Sequence, residues 1–144
     1  MSKTDFSSVT LEPIGWVRSP YREMTKPEIL REQEVQIELR PELAAGLDGL
    51  GPGSQILVVF YFHLAAGKGY ALRLHPRDDT SVPKRGVFAT RSPYRPNSLG
   101  VTVAQVMEVQ GHTLRVRGLD ALDGTPVLDI KHYAQAFDAA QGAA

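Results

Sequence analysis

The run Gly86-Val-Phe-Ala-Thr-Arg-Ser-Pro-Tyr-Arg-Pro-Asn-Ser-Leu-Gly100 sets two prolines, two arginines and an asparagine within fifteen residues. Proline fixes φ and donates no backbone hydrogen bond, so Pro93 and Pro96 exclude a helix or a central strand over this stretch and leave a rigid loop. Such a loop holds the side chains of Arg91, Ser92, Arg95 and Asn97 in place. Loops positioned by a scaffold carry binding and catalysis disproportionately often, so these cations and amides read as a presentation surface.

At 144 residues the chain is expected to form one domain with a real core. It contains no cysteine, which removes disulfides, thiolate zinc sites and cysteine nucleophiles together and fits a reducing compartment. The N-terminus has no basic region leading into an apolar run, and the longest apolar stretch, Ile56 to Phe62, is too short to span a bilayer, so a cytoplasmic protein without a membrane anchor is expected. Formal net charge is zero, whereas strong non-specific binding to nucleic acid calls for a basic excess. The charges are unevenly spread, however. Arg73, Arg77, Lys84, Arg85, Arg91 and Arg95 face only Asp78 and Asp79, and acids gather in Glu28 to Glu42 and Asp120 to Asp129. One basic face toward an anionic partner, or a solvated surface with scattered charges, suits this distribution equally.

Strand signals dominate. Glu34 to Arg40 alternates, with Val35, Ile37 and Leu39 on one face and charged or polar residues on the other. Thr10 to Arg18 reads as a strand, and Gln55 to His63, apolar and rich in β-branched and aromatic residues, as a central strand covered on both faces. Gly86 to Thr90 is expected to be a short strand. Val101 to Val109 and Thr113 to Gly118 flank a tight turn at Gln110-Gly111, and Val127 to Ile130 forms a last strand that Tyr133 to Phe137 extends. Helix signals are confined to Pro27 to Glu32 and Pro41 to Gly46. The chain is therefore expected to be mainly β, a closed or partly open β-barrel with short helical turns, as a single domain over residues 1–137 with a frayed tail at 138–144.

Familiar catalytic signatures are missing. No G-x-G-x-x-G, no G-x-x-x-x-G-K-[ST] and no G-x-S-x-G occurs, and His63, His75, His112 and His132 are too scattered to suggest a metal site. Hydrolysis through a nucleophile elbow, P-loop phosphoryl transfer and dinucleotide redox chemistry have no sequence support.

Four segments concentrate constrained polar residues. These are Ile14-Gly-Trp-Val-Arg-Ser-Pro-Tyr-Arg22, Val58-Val-Phe-Tyr-Phe-His63, the Gly86–Gly100 loop, and Gly118-Leu-Asp-Ala-Leu-Asp-Gly-Thr-Pro-Val-Leu-Asp-Ile-Lys-His-Tyr133. In this order and at this length they resemble the TsaA/TrmO-like (YaeB-like) family, from about Leu11 to Tyr133. The resemblance implies a β-barrel methyltransferase that uses S-adenosylmethionine, forms a homodimer with the cofactor near the interface, and methylates the exocyclic amine of threonylcarbamoyl-adenosine next to the anticodon of tRNA. It also implies a stand-alone domain, because longer members carry a C-terminal extension that has no counterpart here.

Carried over by motif, cofactor contacts are expected at His63, Leu64, Arg91, Val101, Leu122, Asp123 and Gly124. Pro27 stands where the family has a Pro-x-Gln segment, although Glu28 follows it here and no glutamine does. Arg95 and Asn97 are the candidates for substrate contact, and Asn97, Asp129, Lys131 and Tyr133 the candidates for orienting or deprotonating the acceptor. Each has a plainer reading as well. Arg91 could form a structural ion pair, Asn97 could bond its own loop, His63 could be a satisfied core histidine, and Lys131 could pair a neighbouring acid. Two other functions remain open beside the tRNA reading: methylation of a small molecule, and non-catalytic binding of S-adenosylmethionine. Methyl transfer from a sulfonium requires neither a metal nor a covalent nucleophile, so the lack of a standard catalytic constellation fits this class.

Overall fold

The computed structural model describes residues 6–23 and 25–139. Among these described residues eight strands form in chain order: β1 (Gly15–Arg18), β2 (Glu34–Leu39), β3 (Gln55–Tyr61), β4 (Arg73–Leu74), β5 (Arg85–Gly86), β6 (Leu99–Gln110), β7 (Thr113–Arg117) and β8 (Pro126–His132). Six of them close an antiparallel barrel in the order β1-β2-β7-β6-β3-β8, while β4 and β5 pair only with each other. Two short helices, α1 (Pro27–Glu32) and α2 (Gln135–Asp138), and three 3-10 segments are the other elements among the described residues.

Period-two patterning drives the closure. Val35, Ile37 and Leu39 of β2, Ile56, Val58 and Phe60 of β3, and Thr102, Ala104 and Val106 of β6 point inward, and with Val17, Leu114, Val116, Leu119 and Val127 they fill the lumen. A barrel of so few strands has room inside only for side chains. Ligands must therefore bind on its rim or its outside. Two glycines mark the tightest approaches. A Cβ on Gly15 would overlap the Glu38 carbonyl oxygen and stand 2.8 Å from Leu39 Cα, so β1 can lie against β2 only without a side chain there. A Cβ on Gly100 would reach within 2.5 Å of Phe60 Cζ, where Phe60 and Phe62 meet edge to face at 5.1 Å.

Several local expectations need correction. The strand is Arg85–Gly86 rather than the expected Gly86 to Thr90, and Val87–Ala89 turn into a 3-10 segment. That turn buries Val87 and leaves Phe88 77% exposed. Tyr133 to Phe137 does not prolong β8: the strand ends at His132 and Gln135–Asp138 is helical, with Ala134 N–H donating to the Asp138 carboxylate at 2.7 Å. β3 is covered on one face only, with Leu57, Val59 and Tyr61 on the outside of the barrel, because a single-layer barrel has no second sheet to pack against them. The tight turn falls at Gly111-His112, where Gly111 has φ 62°. Residues 140–144 of the expected tail lie outside the described residues.

Gly15→Ala should lower stability by about 1–3 kcal/mol, since the clash is with backbone that cannot rotate away. Urea unfolding followed by tryptophan fluorescence checks this; an unchanged midpoint would show that β1 can move off β2 at no cost.

Candidate functional site

The cofactor-binding candidates lie at one end of the barrel. Antiparallel pairing brings the last residues of β1 and β3 to the same rim as the first residues of β6 and β8, and these four strands are neighbours, in the order β6-β3-β8-β1. His63 and Leu64 follow β3, the Gly86–Gly100 loop runs into β6, and Leu122 to Gly124 lead into β8.

On the β8 side, Asp123 organises the rim. Its Oδ1 accepts the Ser19 N–H at 2.9 Å and its own N–H donates to Tyr21 O at 2.6 Å, tying the Ser19-Pro20-Tyr21 turn to the Asp123-Gly124 turn. Gly124 N–H donates to Val17 O at 2.8 Å, and its φ of 80° is a left-handed conformation that favours glycine. The Leu122 carbonyl accepts both the N–H and, at 2.7 Å, the hydroxyl of buried Thr125, which locks the turn from beneath. Among the described residues, Arg22 Nε at 3.9 Å is the only ionic neighbour of Asp123 Oδ2, so one carboxylate oxygen still faces outward. Leu122 itself is buried.

On the β6 side, Phe62 N–H donates to Ser98 O at 2.8 Å, which makes Phe62–Ser98 a hydrogen-bonded pair and turns the Val101 carbonyl away from β3. β7 does not reach it, since the β6–β7 ladder begins only at Gln105–Arg117. The Arg91 guanidinium donates to this otherwise open carbonyl. Arg91 and Val101, singled out separately in the sequence, thus form one unit, in which part of the guanidinium is anchored and the rest is exposed. Arg95, the other substrate-contact candidate, donates from Nη1 to Thr90 O at 3.0 Å and Ser92 O at 3.3 Å, bracing its own loop. Asn97 is exposed, and its carbonyl accepts the Leu99 N–H at 2.7 Å.

Pro27 is brought to the same end. It opens α1 at a position where a missing N–H costs nothing. Arg31 of that helix lies 3.4 Å from Asp120 Oδ2, and Asp120 Oδ1 accepts the Thr102 hydroxyl at 2.8 Å. Asp120, Ser19 and Tyr21 are the rim residues that sequence reading passed over. Their position inside the first and fourth motif segments was the available signal.

The remaining candidates sit on the barrel exterior. Asp129 pairs across from Val59 and Lys131 across from Leu57, and the two charges form an ion pair at 2.9 Å, the plainer reading of Lys131. They border an apolar stripe made of Leu57, Val59 and Tyr61 facing Val103, Val101 and Leu99. Tyr133, whose N–H donates to Gln55 O, marks the opposite end, about 20 Å along β3 from the rim. A cavity of about 510 Å³ lies at that far end, against Ile14, Leu39, Leu43, Leu47 and His132, while an open hollow of about 300 Å³ beside Pro20, Tyr21 and Arg22 borders the rim. The motif residues of one chain make a wall rather than an enclosed pocket.

Comparison with known proteins matches residues 16–139 to the tRNA-methyltransferase O N-terminal domain. An S-adenosyl-L-methionine-binding protein of Archaeoglobus fulgidus is 39% identical over 133 residues, covering 89% of this chain and 91% of the relative. The tRNA (adenine(37)-N6)-methyltransferase of Mus musculus is 36% identical over 138 residues, but the match spans only 32% of its length. The crystal structure of TrmO from Pseudomonas aeruginosa superposes with a TM-score of 0.73 at 34% identity, covering 95% of this chain and 61% of that one.

Asp123→Ala should release the Ser19 amide. Hydrogen exchange at Ser19 should accelerate and unfolding free energy fall by about 1–3 kcal/mol, because a half-buried donor loses its acceptor. Retained protection at Ser19 would separate the two turns.

Proposed function

The chain belongs to the tRNA-methyltransferase O N-terminal domain family, and from that premise we propose that it is an S-adenosylmethionine-dependent methyltransferase acting on the exocyclic amine of threonylcarbamoyl-adenosine beside the anticodon of tRNA. The observation that carries this reading is the gathering of four distant motif segments, at Ser19, His63, Arg91 and Asp123, on one rim of a barrel whose lumen is full.

The donor set suits the cofactor. Arg91 offers guanidinium donors beyond the one held by Val101, which match a carboxylate. Asp123 offers an oriented oxygen for a hydroxyl or ammonium group. Leu64 and Val101 offer exposed apolar edges, 42% accessible each, for a flat ring. S-Adenosylmethionine supplies, when bound, an electrophilic methyl group on a sulfonium. The residues of the chain then contribute by holding and aligning the partners, an effect worth on the order of 7–11 kcal/mol in favourable cases. Asn97 is the polar group assigned at the rim to orient the acceptor amine or receive its proton; Asp129 and Lys131 on the outer face, and Tyr133 at the far end, would serve this only from another copy of the chain.

In this reading the second wall comes from another copy. The stripe formed by Leu57, Val59, Tyr61, Leu99, Val101 and Val103 is continuous with the rim, and single-layer barrels ordinarily cover such apolar faces. The homodimer is assigned to the cytoplasm, in keeping with the cysteine-free composition.

Purified protein should transfer labelled methyl groups to tRNA carrying threonylcarbamoyl-adenosine in an RNase-sensitive product. Cofactor binding without transfer to any RNA would favour the binding-protein reading suggested by the name of the Archaeoglobus relative. Arg91→Ala should weaken S-adenosylmethionine binding by about 1.5–3 kcal/mol in calorimetry, the value of a charge-assisted hydrogen bond; unchanged affinity removes Arg91 from the site. Val103→Asp, on the stripe but off the rim, should yield monomers in analytical ultracentrifugation and weaken cofactor binding with them. A dimeric Val103→Asp protein would move the interface elsewhere.

A further inference from the structure

The methyltransferase reading leaves one element unused. The β4–β5 ribbon, residues 73–86, pairs with no barrel strand and is spliced between Leu64 on one side and Arg91 on the other. Its base is tied by Val87 N–H to Leu72 O at 2.8 Å. Its tip turns sharply, with Arg77 and Asp78 in left-handed conformations at φ 54° and 58°.

Polar groups of the tip are largely spent on the tip itself. His75 Nδ1 bonds the Val82 carbonyl at 2.9 Å, and the Asp79 carboxylate takes both the N–H and the hydroxyl of Ser81. Those Ser81 bonds hold the Asp79 carboxyl below its usual range. The cations are left over. Among the described residues, Arg18, Arg22, Arg31, Arg115, Arg117 and Lys131 each have a carboxylate within 4.0 Å, whereas Arg73, Arg77, Lys84 and Arg85 have none, as is also true of Lys26, Arg40, Lys68, Arg91 and Arg95. From Lys68 to Arg95 seven cations stand against two acids, a local charge of +5 in a chain whose total is zero.

Geometry narrows the partner. Cross-strand partners share a face of a ribbon, and Arg73 faces Gly86 while Leu74 faces Arg85, so Arg73 and Arg85 project from opposite faces. A ribbon with cations on both sides fits between two anionic strands better than flat against one surface. Exposed aromatics surround its base: Tyr70 at 56%, Phe88 at 77% and Tyr94 at 46%. Unpaired bases in RNA loops stack on such side chains, while phosphates neutralise arginine and lysine.

We propose that the β4–β5 ribbon grips the phosphodiester backbone of an RNA stem-loop, with Tyr70, Phe88 and Tyr94 stacking its unpaired bases, so that a loop base reaches the rim between His63 and Arg91. The proposal rests on the RNA-methyltransferase reading and assigns its docking surface.

The test uses the full chain and a labelled anticodon stem-loop RNA, with binding followed by anisotropy across a salt series. The R73A/R77A/K84A/R85A variant should bind about ten- to a hundredfold more weakly at low salt and show a shallower salt slope, by about one unit for each phosphate that the protein no longer neutralises. Its melting temperature and its calorimetric affinity for S-adenosylmethionine should stay as in the wild type, since none of these side chains is ion-paired. Phe88→Ala should weaken binding and leave the slope unchanged. Wild-type RNA affinity and slope in the quadruple variant would overturn the proposal while leaving the methyltransferase reading intact. Absence of methyl transfer to tRNA by the wild type would overturn both. Loss of binding to anionic lipid vesicles with RNA binding retained would assign the ribbon to a membrane surface instead, and overturn it too.

Discussion

Closure of the barrel between its first and last strands is the contact on which the remaining features depend. Ile14 N–H donates to Val127 O at 2.8 Å and Val17 N–H to Thr125 O at 2.9 Å, so residues more than a hundred positions apart become neighbours. The approach works because Gly15 has no side chain to strike β2 on the other flank. Loop closure over such a span is entropically costly, and the apolar lumen offsets it. Once β1 and β8 are joined, the Ser19 turn has no place to lie except across Asp123, and the rim follows from the seam.

The structure then divides its surfaces by what each can do. The lumen is packed with aliphatic side chains and leaves no space for a ligand. The outside of β2, β7 and β6 carries an exposed charge network in which Glu108 and then Glu34 hold the Arg115 guanidinium in its charged form, at 3.0 and 2.6 Å. Exposed pairs of this kind contribute little stability, and they leave little net charge for a partner to read. The opposite flank, β3 with β6, is apolar outside and borders the rim. Among the described residues, the β4–β5 ribbon adds four cations without a carboxylate partner, Arg73, Arg77, Lys84 and Arg85. Core, neutral flank, apolar flank and cationic arm are thus separate parts around one barrel.

Much of this was legible in the sequence for identifiable reasons. Alternation in Glu34 to Arg40 specified β2 almost to the residue, because a half-buried barrel strand shows its period directly. The continuous apolar run of β3 misled: buried inner and half-exposed outer positions are both apolar when the outer face is itself a contact surface. Pro93 and Pro96 correctly marked the loop as irregular, but nothing in its residues told that Arg95 would bond Thr90 and Ser92 while Arg91 reached ten residues onward to Val101. That difference arises from where β7 stops, which is a tertiary fact. The Asp123-Gly124 turn was readable as a turn; its clasp on Ser19 required the seam. The β4–β5 ribbon gave only its charges away, since two-residue strands carry no usable period.

The central claim is that one rim, shared by β6, β3, β8 and β1, binds S-adenosylmethionine as a unit. Backbone amide chemical shifts recorded by NMR during titration with S-adenosylhomocysteine, the demethylated cofactor, test it most directly. The account predicts that Ser19, His63, Arg91, Val101 and Gly124 shift together along one saturation curve, with His132 and Leu43 at the far cavity unmoved. Shifts centred on the cavity between Leu39, Leu43 and His132, with the rim silent, would contradict it.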